Sequence, residues 1–226
     1  MKVHTEFQQG SIEWLEARCG IPTASEFNRL VTDKFEPRKG ETPKTFLAEK
    51  LAEAWCGPLP GFGAWATEQG TILEERAIPW LELEHALTVE RVGFITTDDG
   101  RIGCSPDGMS GKIGLEVKCP QAPHQIKTLL GGDVPSEYGP QIHGGMLVTG
   151  FESWTFLSYH TRLPKFVAIV PRDEGIQTRL QEALASFLTD FDLAWARLCD
   201  KNGGPPPKRR VFVPSPPEPN YDGITP

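Results

Sequence analysis

The chain has 226 residues, of which 38% are hydrophobic and 23% are charged, a composition typical of a globular protein with one substantial core. Its 23 basic and 30 acidic residues give a formal charge of −7, which argues against a general nucleic-acid coat protein with a basic surface. Because no apolar run is long enough for a membrane span or a secretion signal, we expect a cytoplasmic protein without membrane contact.

The first predicted element is a short helix near the N-terminus. Ser11 is a suitable N-cap for this helix, which we expect to end near Gly20. Trp14 and Arg18 lie four residues apart and therefore share one helix face. From the sequence alone, Arg18 is most simply a solvated surface charge.

A second helix is predicted from a capping-box pattern. Thr23 and Glu26 have the required spacing, and we expect the helix to reach Val31 with Ser25 in its first turn. The N–H groups at a helix N-terminus attract anions, so a phosphate could bind there with Arg18 and the Ser25 hydroxyl.

Two longer helical segments are predicted next. Thr42 and Pro43 are typical of the start of a helix that continues to Trp55. Its expected buried residues are all apolar: Phe46, Leu47, Leu51 and Ala54. Residues 64–86 also have a mostly helical pattern, which we expect to be broken at Gly70 and Pro79. Glu74 lies in this second segment, where the sequence alone favours a solvated charge.

Strands and turns dominate the stretch that follows. Residues 88–96 predict a strand and residues 98–100 its turn, and residues 101–104 predict a second strand. Turn-forming residues then occur between Pro106 and Gly111, before an apolar strand that begins at Ile113. A hairpin here would bring Asp107 close to Glu116.

The candidate chemistry lies in this hairpin. Glu116 and Lys118 share one strand face, because side chains alternate along a strand. Two carboxylates, Asp107 and Glu116, beside an amine suit Mg²⁺, which prefers oxygen ligands and keeps several waters. Lys118 could then orient an attacking water or help to deprotonate it. The alternative is a surface hairpin with an ordinary Glu/Lys pair, although charges within an apolar strand need a reason.

The remaining pattern predicts an α/β protein with a central mixed sheet and helices on both sides. Helices are expected over residues 121–130 and 136–148, then strands over residues 151–159 and 165–170. Asp173 is a suitable cap for a long amphipathic helix that ends near Leu198. We predict one domain over residues 1–201 and a proline-rich tail or arm over residues 202–226.

Four ordered motifs resemble one family. The segment around the hairpin contains SPDG and LEVKCP, and the other motifs are WLEARCGIPTASE, GTILEERA and YGPQIHGGMLVT. Together they are similar to the phage lambda exonuclease (YqaJ-like viral recombinase) family of the PD-(D/E)XK nuclease superfamily. This resemblance covers roughly residues 10 to 160 and implies a restriction-endonuclease-like core.

The resemblance also implies roles for individual residues. Arg18 and Ser25 match the pair that holds the terminal 5′-phosphate of DNA. The metal ligands implied for two Mg²⁺ ions, with Mn²⁺ as a substitute, are Asp107, Glu116, the Val117 carbonyl and Glu74. Gln141 is implied to hold a metal-bound water or a DNA phosphate, and Lys118 to position the attacking water.

By resemblance, the expected function is Mg²⁺-dependent 5′-to-3′ digestion of one strand of double-stranded DNA. The products would be mononucleotides and a 3′ single strand for recombination. The family further implies a homotrimeric ring, a single-strand annealing protein as partner, and a phage or prophage origin with action in a bacterial cytoplasm. The alternatives are a related PD-(D/E)XK endonuclease and a non-catalytic DNA-end-binding protein.

Overall fold

A computed structural model describes residues 1–59 and 67–206, without the side chains of residues 67–72 and of Glu74. The helices are α1 (Ile12–Arg18), α2 (Glu41–Cys56), α3 (Thr67–His85), α4 (Ala122–Gly131), α5 (Gly139–Thr149) and α6 (Glu174–Lys201). The strands are β1 (Lys2–His4), β2 (Phe94–Thr96), β3 (Gly103–Cys104), β4 (Gly108–Ser110), β5 (Ile113–Lys118), β6 (Ser153–Ser158) and β7 (Phe166–Pro171). Short 3₁₀ helices cover Ala24–Arg29 and Ser136–Tyr138.

The predicted mixed sheet is confirmed. Its strand order is β4-β5-β6-β7, with β5 parallel to β6 and the two outer pairs antiparallel. Helices α4 and α5 form the crossover that a parallel connection requires. Strands β1, β2 and β3 form a separate antiparallel sheet, so the predicted strands before Asp107 do not all join the central sheet.

The hairpin that carries Asp107 and Glu116 is built differently from the prediction. Residues 101–104 were expected to precede its turn, but β3 pairs with β2 and the partner of β5 is β4. The turn therefore lies at Gly111, which has a positive φ of 60°. The predicted strand over residues 88–96 is also shorter, since only β2 and a single bridge between Glu90 and Met109 form there.

Several predicted helices differ in length or type. The capping box of Thr23 and Glu26 is confirmed, but the helix it starts is a 3₁₀ helix that ends at Arg29 rather than Val31. Similarly, the segment from Ser136 begins with a 3₁₀ turn before α5. Helix α3 continues through Gly70 and Pro79, contrary to the two predicted breaks. At Pro79, packing of the buried face against the sheet overrides local propensity.

Two hydrophobic clusters lie on opposite faces of β5 and β6. Leu115 and Val117 pack with α3 residues such as Leu81, whereas Trp154 and Phe156 pack toward α5 and α6.

The predicted cap of α6 is confirmed, since the Asp173 side chain accepts a hydrogen bond from the helix. No helix in the described ranges is both long and apolar enough to cross a bilayer. The predicted tail lies outside the described residues beyond residue 206.

Close packing between α5 and the first 3₁₀ helix requires glycine at position 144. A Cβ atom there would lie 2.5 Å from the Phe27 ring and 3.1 Å from the Ala24 side chain. We expect Gly144→Ala to lower the free energy of unfolding by about 1–3 kcal/mol, because overpacking outweighs the better helix propensity of alanine.

Urea denaturation of wild type and Gly144→Ala measures this difference in the free energy of unfolding. Gly131→Ala in α4 is the matched control, because a Cβ atom there contacts nothing within 4 Å. We expect the control to be neutral or slightly stabilising. A Gly144→Ala protein as stable as wild type would contradict the tight packing of α5.

Candidate active site

The β4–β5 hairpin places Asp107 beside Glu116. The Asp107 amide donates to the Leu115 carbonyl at 3.0 Å, just before the strand register begins with Gly108 opposite Leu115, and the Asp107 carboxyl group lies close enough to feel the Glu116 charge. The Val117 amide in turn donates to Asp107 Oδ2 at 2.6 Å, so the strand fixes the carboxylate orientation. The predicted convergence of the two acids is therefore present.

Lys118 lies next to Glu116 on the same face of β5. Its Nζ atom is 2.5 Å from Glu116 Oε1, and the exposed fractions of the two side chains are 28% and 3%. The Glu116 carboxylate raises the pKa of the Lys118 ammonium group despite the opposing effect of burial, so this lysine remains charged. The amine thus forms the boundary between a buried carboxylate and solvent.

Electrostatic repulsion within the hairpin is strong. Burial, and then the Glu116 charge, raise the pKa of Asp107 to about 7, although Lys118 and the Val117 amide oppose the shift. Two adjacent carboxyl groups therefore share one ammonium group. A bound divalent cation would relieve the repulsion that this arrangement creates.

The donor set fits Mg²⁺ by its chemistry. Asp107 and Glu116 supply hard oxygen ligands, and the Val117 carbonyl points to the same sheet edge as the Val117 amide, which contacts Asp107. Among the side chains that the structure describes, which do not include Glu74, no group of three His, Cys, Asp or Glu could hold a metal ion. Two carboxylates and one carbonyl leave positions for the waters that Mg²⁺ retains.

The predicted second acid is Glu74, and the structure does not describe its side chain. Its backbone belongs to α3, whose residues Ala77 and Leu81 pack with Leu115 and Val117. The role of Glu74 in holding a second metal ion therefore stays a prediction.

Helix α5 brings Gln141 to the hairpin. Lys118 Nζ donates to Gln141 Oε1 at 3.3 Å, and it also lies 5.4 Å from the centre of the Tyr138 ring. Tyr138 stacks in turn on buried Phe156. Tyr138 had no predicted role of its own, although its place one helical turn before Gln141 was a usable signal.

Arg18 and Ser25 also come together, as predicted. Arg18 Nη2 donates to Thr23 Oγ1 at 2.8 Å and reaches Ser25 Oγ at 3.5 Å. The Arg18 guanidinium lies 4.0 Å from the centre of the Trp14 ring, and the Trp14 indole donates to Ser105 Oγ at 3.0 Å. Sequence reasoning missed the anchoring contacts of Thr23 and Ser105, because both depend on tertiary structure.

A single concave surface joins the two groups of residues. One part of it is lined by residues that include Ser25, Glu116 and Gln141, and the adjoining part by residues that include Ser25, Tyr138 and Gln141. An extended ligand bound along this surface would contact Ser25 and Glu116 together. The cleft therefore reaches both Glu116, which contacts Lys118, and Ser25, which lies beside Arg18.

Comparisons with known proteins agree on the type of fold. The model of the YqaJ-like viral recombinase domain matches residues 13–152. An alkaline exonuclease from Laribacter hongkongensis has 28% identity and a TM-score of 0.76, over 85% of this chain and 98% of its own. The same values hold for that exonuclease in complex with dAMP.

A more distant structure supports the fold alone. A phage-related exonuclease from Haemophilus somnus 129PT has 15% identity and a TM-score of 0.56, over 79% of this chain and 96% of its own. A search of curated proteins finds no match.

Proposed function

Because this chain belongs to the YqaJ-like viral recombinase domain family, we propose that it is a Mg²⁺-dependent 5′-to-3′ exonuclease acting on double-stranded DNA. Its products would be mononucleotides and a 3′ single strand that serves recombination by strand annealing. The observation that carries the proposal is the convergence of Asp107, Glu116 and Lys118 beside a cleft that Glu116 and Ser25 line. The similar Laribacter exonuclease binds dAMP, a deoxymononucleotide of the kind expected as product.

The proposed mechanism assigns two carboxylates and one amine to hydrolysis. Asp107 and Glu116, with the Val117 carbonyl and Glu74, would hold two Mg²⁺ ions, which supply an activated water and charge neutralisation at phosphorus. Lys118 would orient the attacking water and offset negative charge that develops in the transition state. Gln141 accepts a hydrogen bond from Lys118 and would keep its ammonium group directed at the scissile phosphate.

End recognition would come from the other part of the cleft. Arg18 and Ser25 present a guanidinium and a hydroxyl suited to a terminal phosphate, and Trp14 limits the movement of the guanidinium. Binding of the 5′ end at this fixed position would set the length of each cut to one nucleotide. Stacking on Trp14 and the hydrogen bond to Thr23 also explain why the half-buried Arg18 can be held in one place.

A linear duplex with a 5′-phosphate at one end tests the proposed activity. With Mg²⁺, we expect the phosphorylated strand to shorten from that end and to release mononucleotides, and EDTA to stop the reaction. Nicking of closed circular DNA would instead identify an endonuclease. Tight binding of duplex ends without cleavage would identify a DNA-end-binding protein.

Arg18→Ala is expected to reduce the preference for phosphorylated ends. Loss of one charge-assisted contact should lower the cleavage efficiency on 5′-phosphorylated duplex about tenfold or more, and on 5′-hydroxyl duplex much less. Steady-state rates on the two substrates measure the effect. Arg101→Ala, which removes only an exposed pair with Asp192, is the control. Equal losses on both substrates would contradict the phosphate-binding role.

The family also supports proposals about assembly and location. We expect a homotrimeric ring around DNA, a single-strand annealing protein as partner, and action in the cytoplasm of a bacterial cell. Light scattering of the purified protein at several concentrations measures the mass. A persistent mass of one chain would contradict the ring.

A further inference from the structure

A buried cluster of charges lies behind the proposed 5′-phosphate site. The sequence predicted an apolar buried face for α2, but the structure also buries Lys50 and Glu53, with exposed side-chain fractions of 3% and 6%. Lys50 Nζ lies 3.0 Å from Glu53 Oε2 and 2.8 Å from Glu26 Oε1. Such a cluster is weak evidence for stability, because removing charges from water offsets most of their attraction.

The cluster holds both ends of the turn that follows Arg18. Glu53 Oε2 accepts a hydrogen bond from the Gly20 amide at 3.0 Å. Glu26 Oε2 accepts two, from the Thr23 hydroxyl at 2.7 Å and from the Thr23 amide at 3.2 Å. Lys50 joins the two carboxylates and therefore couples the two ends of the turn.

This turn leads directly to Arg18. The Thr23 hydroxyl donates to Glu26 and accepts from Arg18 Nη2 at 2.8 Å, so the direction of its proton is fixed by Glu26. Gly20 lies against α2, where a Cβ atom would be 2.8 Å from the Ala54 side chain. The contacts form one path from Lys50 through Glu26 and Thr23 to the guanidinium.

We propose that Lys50, Glu53 and Glu26 are positioning residues that hold Arg18 in the orientation needed to recognise a terminal 5′-phosphate. The inference rests on the proposed function, because it adds to the end recognition assigned to Arg18. None of the three residues contacts DNA or metal in this scheme. Their effect is on the selectivity for phosphorylated ends and not on the chemistry of cleavage.

The test compares the affinities for 5′-phosphorylated and 5′-hydroxyl duplex ends by fluorescence anisotropy in EDTA. We expect Lys50→Met to reduce the ratio of the two affinities about tenfold, the value of one lost charge-assisted contact. Arg29→Met is the matched control, because the Arg29–Glu49 pair joins the same two helices but is half-exposed and makes no contact with Thr23 among those described. The control should keep the wild-type ratio.

A second variant separates the loss of Arg18 positioning from simple misfolding. Lys50→Met leaves two buried acids without their shared cation, so the double variant Lys50→Met/Glu53→Gln removes one of those charges as well. We expect it to recover thermal stability while the affinity ratio stays low, since the link between the ends of the turn is still absent. A wild-type ratio in either folded variant would overturn the proposal.

The same proteins separate this inference from the proposed function. With Mg²⁺, Lys50→Met should raise KM for 5′-phosphorylated duplex and leave kcat within about twofold, whereas a general structural defect would lower kcat as well. Wild-type protein that cleaves DNA, together with an unchanged ratio in Lys50→Met, overturns only the positioning role. Wild-type protein that binds phosphorylated ends selectively but cleaves nothing overturns only the exonuclease function.

Discussion

Replacing Lys118 with alanine is expected to lower the rate of DNA cleavage by about 10²- to 10³-fold, the usual cost of losing one group that stabilises transition-state charge. Binding of 5′-phosphorylated ends should stay within a few-fold of wild type, because the described contacts of Arg18, with Trp14, Thr23 and Ser25, do not involve Lys118. The cleavage rate is expected to fall because Lys118 Nζ lies beside the proposed metal site, 2.5 Å from Glu116 Oε1 and 3.3 Å from Gln141 Oε1.

Single-turnover cleavage with saturating Mg²⁺ and anisotropy with the same duplex measure the two quantities. Lys112→Ala is the matched control, because Lys112 is an exposed lysine in the same hairpin. Lys118→Ala also leaves buried Glu116 without its ammonium partner, so its folding must be checked by thermal denaturation. Cleavage near the wild-type rate would remove Lys118 from the mechanism.

The active-site pairing was predictable because it depends on local alternation. Glu116 and Lys118 share a face in any strand, and the turn that follows Asp107 must reverse the chain. The exact turn was not predictable. Gly108 has the residue type of a turn, but glycine is needed at this position because a Cβ atom would lie 2.2 Å from the Val89 side chain. That requirement comes from a distant segment and leaves no local pattern.

The buried face of α2 shows a second limit of sequence reasoning. Periodicity correctly identified Phe46, which is fully buried, but it gave no indication that Lys50 and Glu53 are buried as well. Their burial depends on Glu26, which belongs to a different helix, and on the Gly20 amide. A buried charge is tolerated only when its partners are present, and those partners are known only from the tertiary structure.

The Asp107→Asn substitution is expected to abolish cleavage and at the same time to stabilise the metal-free protein. Asparagine keeps an oxygen that can accept from the Val117 amide but removes the charge that faces Glu116. At pH 8 in EDTA we expect a gain in the free energy of unfolding of about 2 kcal/mol, since burial of an uncompensated charge is costly. Cleavage should fall below detection, because a proposed Mg²⁺ ligand is lost.

The pH dependence of this gain follows from the direction of the pKa shift. The folded-state pKa of Asp107 is raised to about 7, above its usual value near 4 in an unfolded chain. Between these values the folded state binds more protons, so the stability of the metal-free wild type falls as pH rises from about 4 to about 7. The difference in the free energy of unfolding between Asp107→Asn and wild type should therefore be large at pH 8 and small at pH 5.

Urea denaturation at both pH values, with EDTA and then with Mg²⁺, measures these changes. Mg²⁺ should stabilise wild type by binding only its folded state, and should stabilise Asp107→Asn much less. Asp99→Asn is the matched control, because hydrogen bonds from the Thr97 hydroxyl and the Arg101 amide lower the pKa of this exposed acid. It should show no gain at pH 8. An Asp107→Asn protein that is less stable than wild type at pH 8 in EDTA, and equally stabilised by Mg²⁺, would contradict a metal site built on two repelling carboxylates.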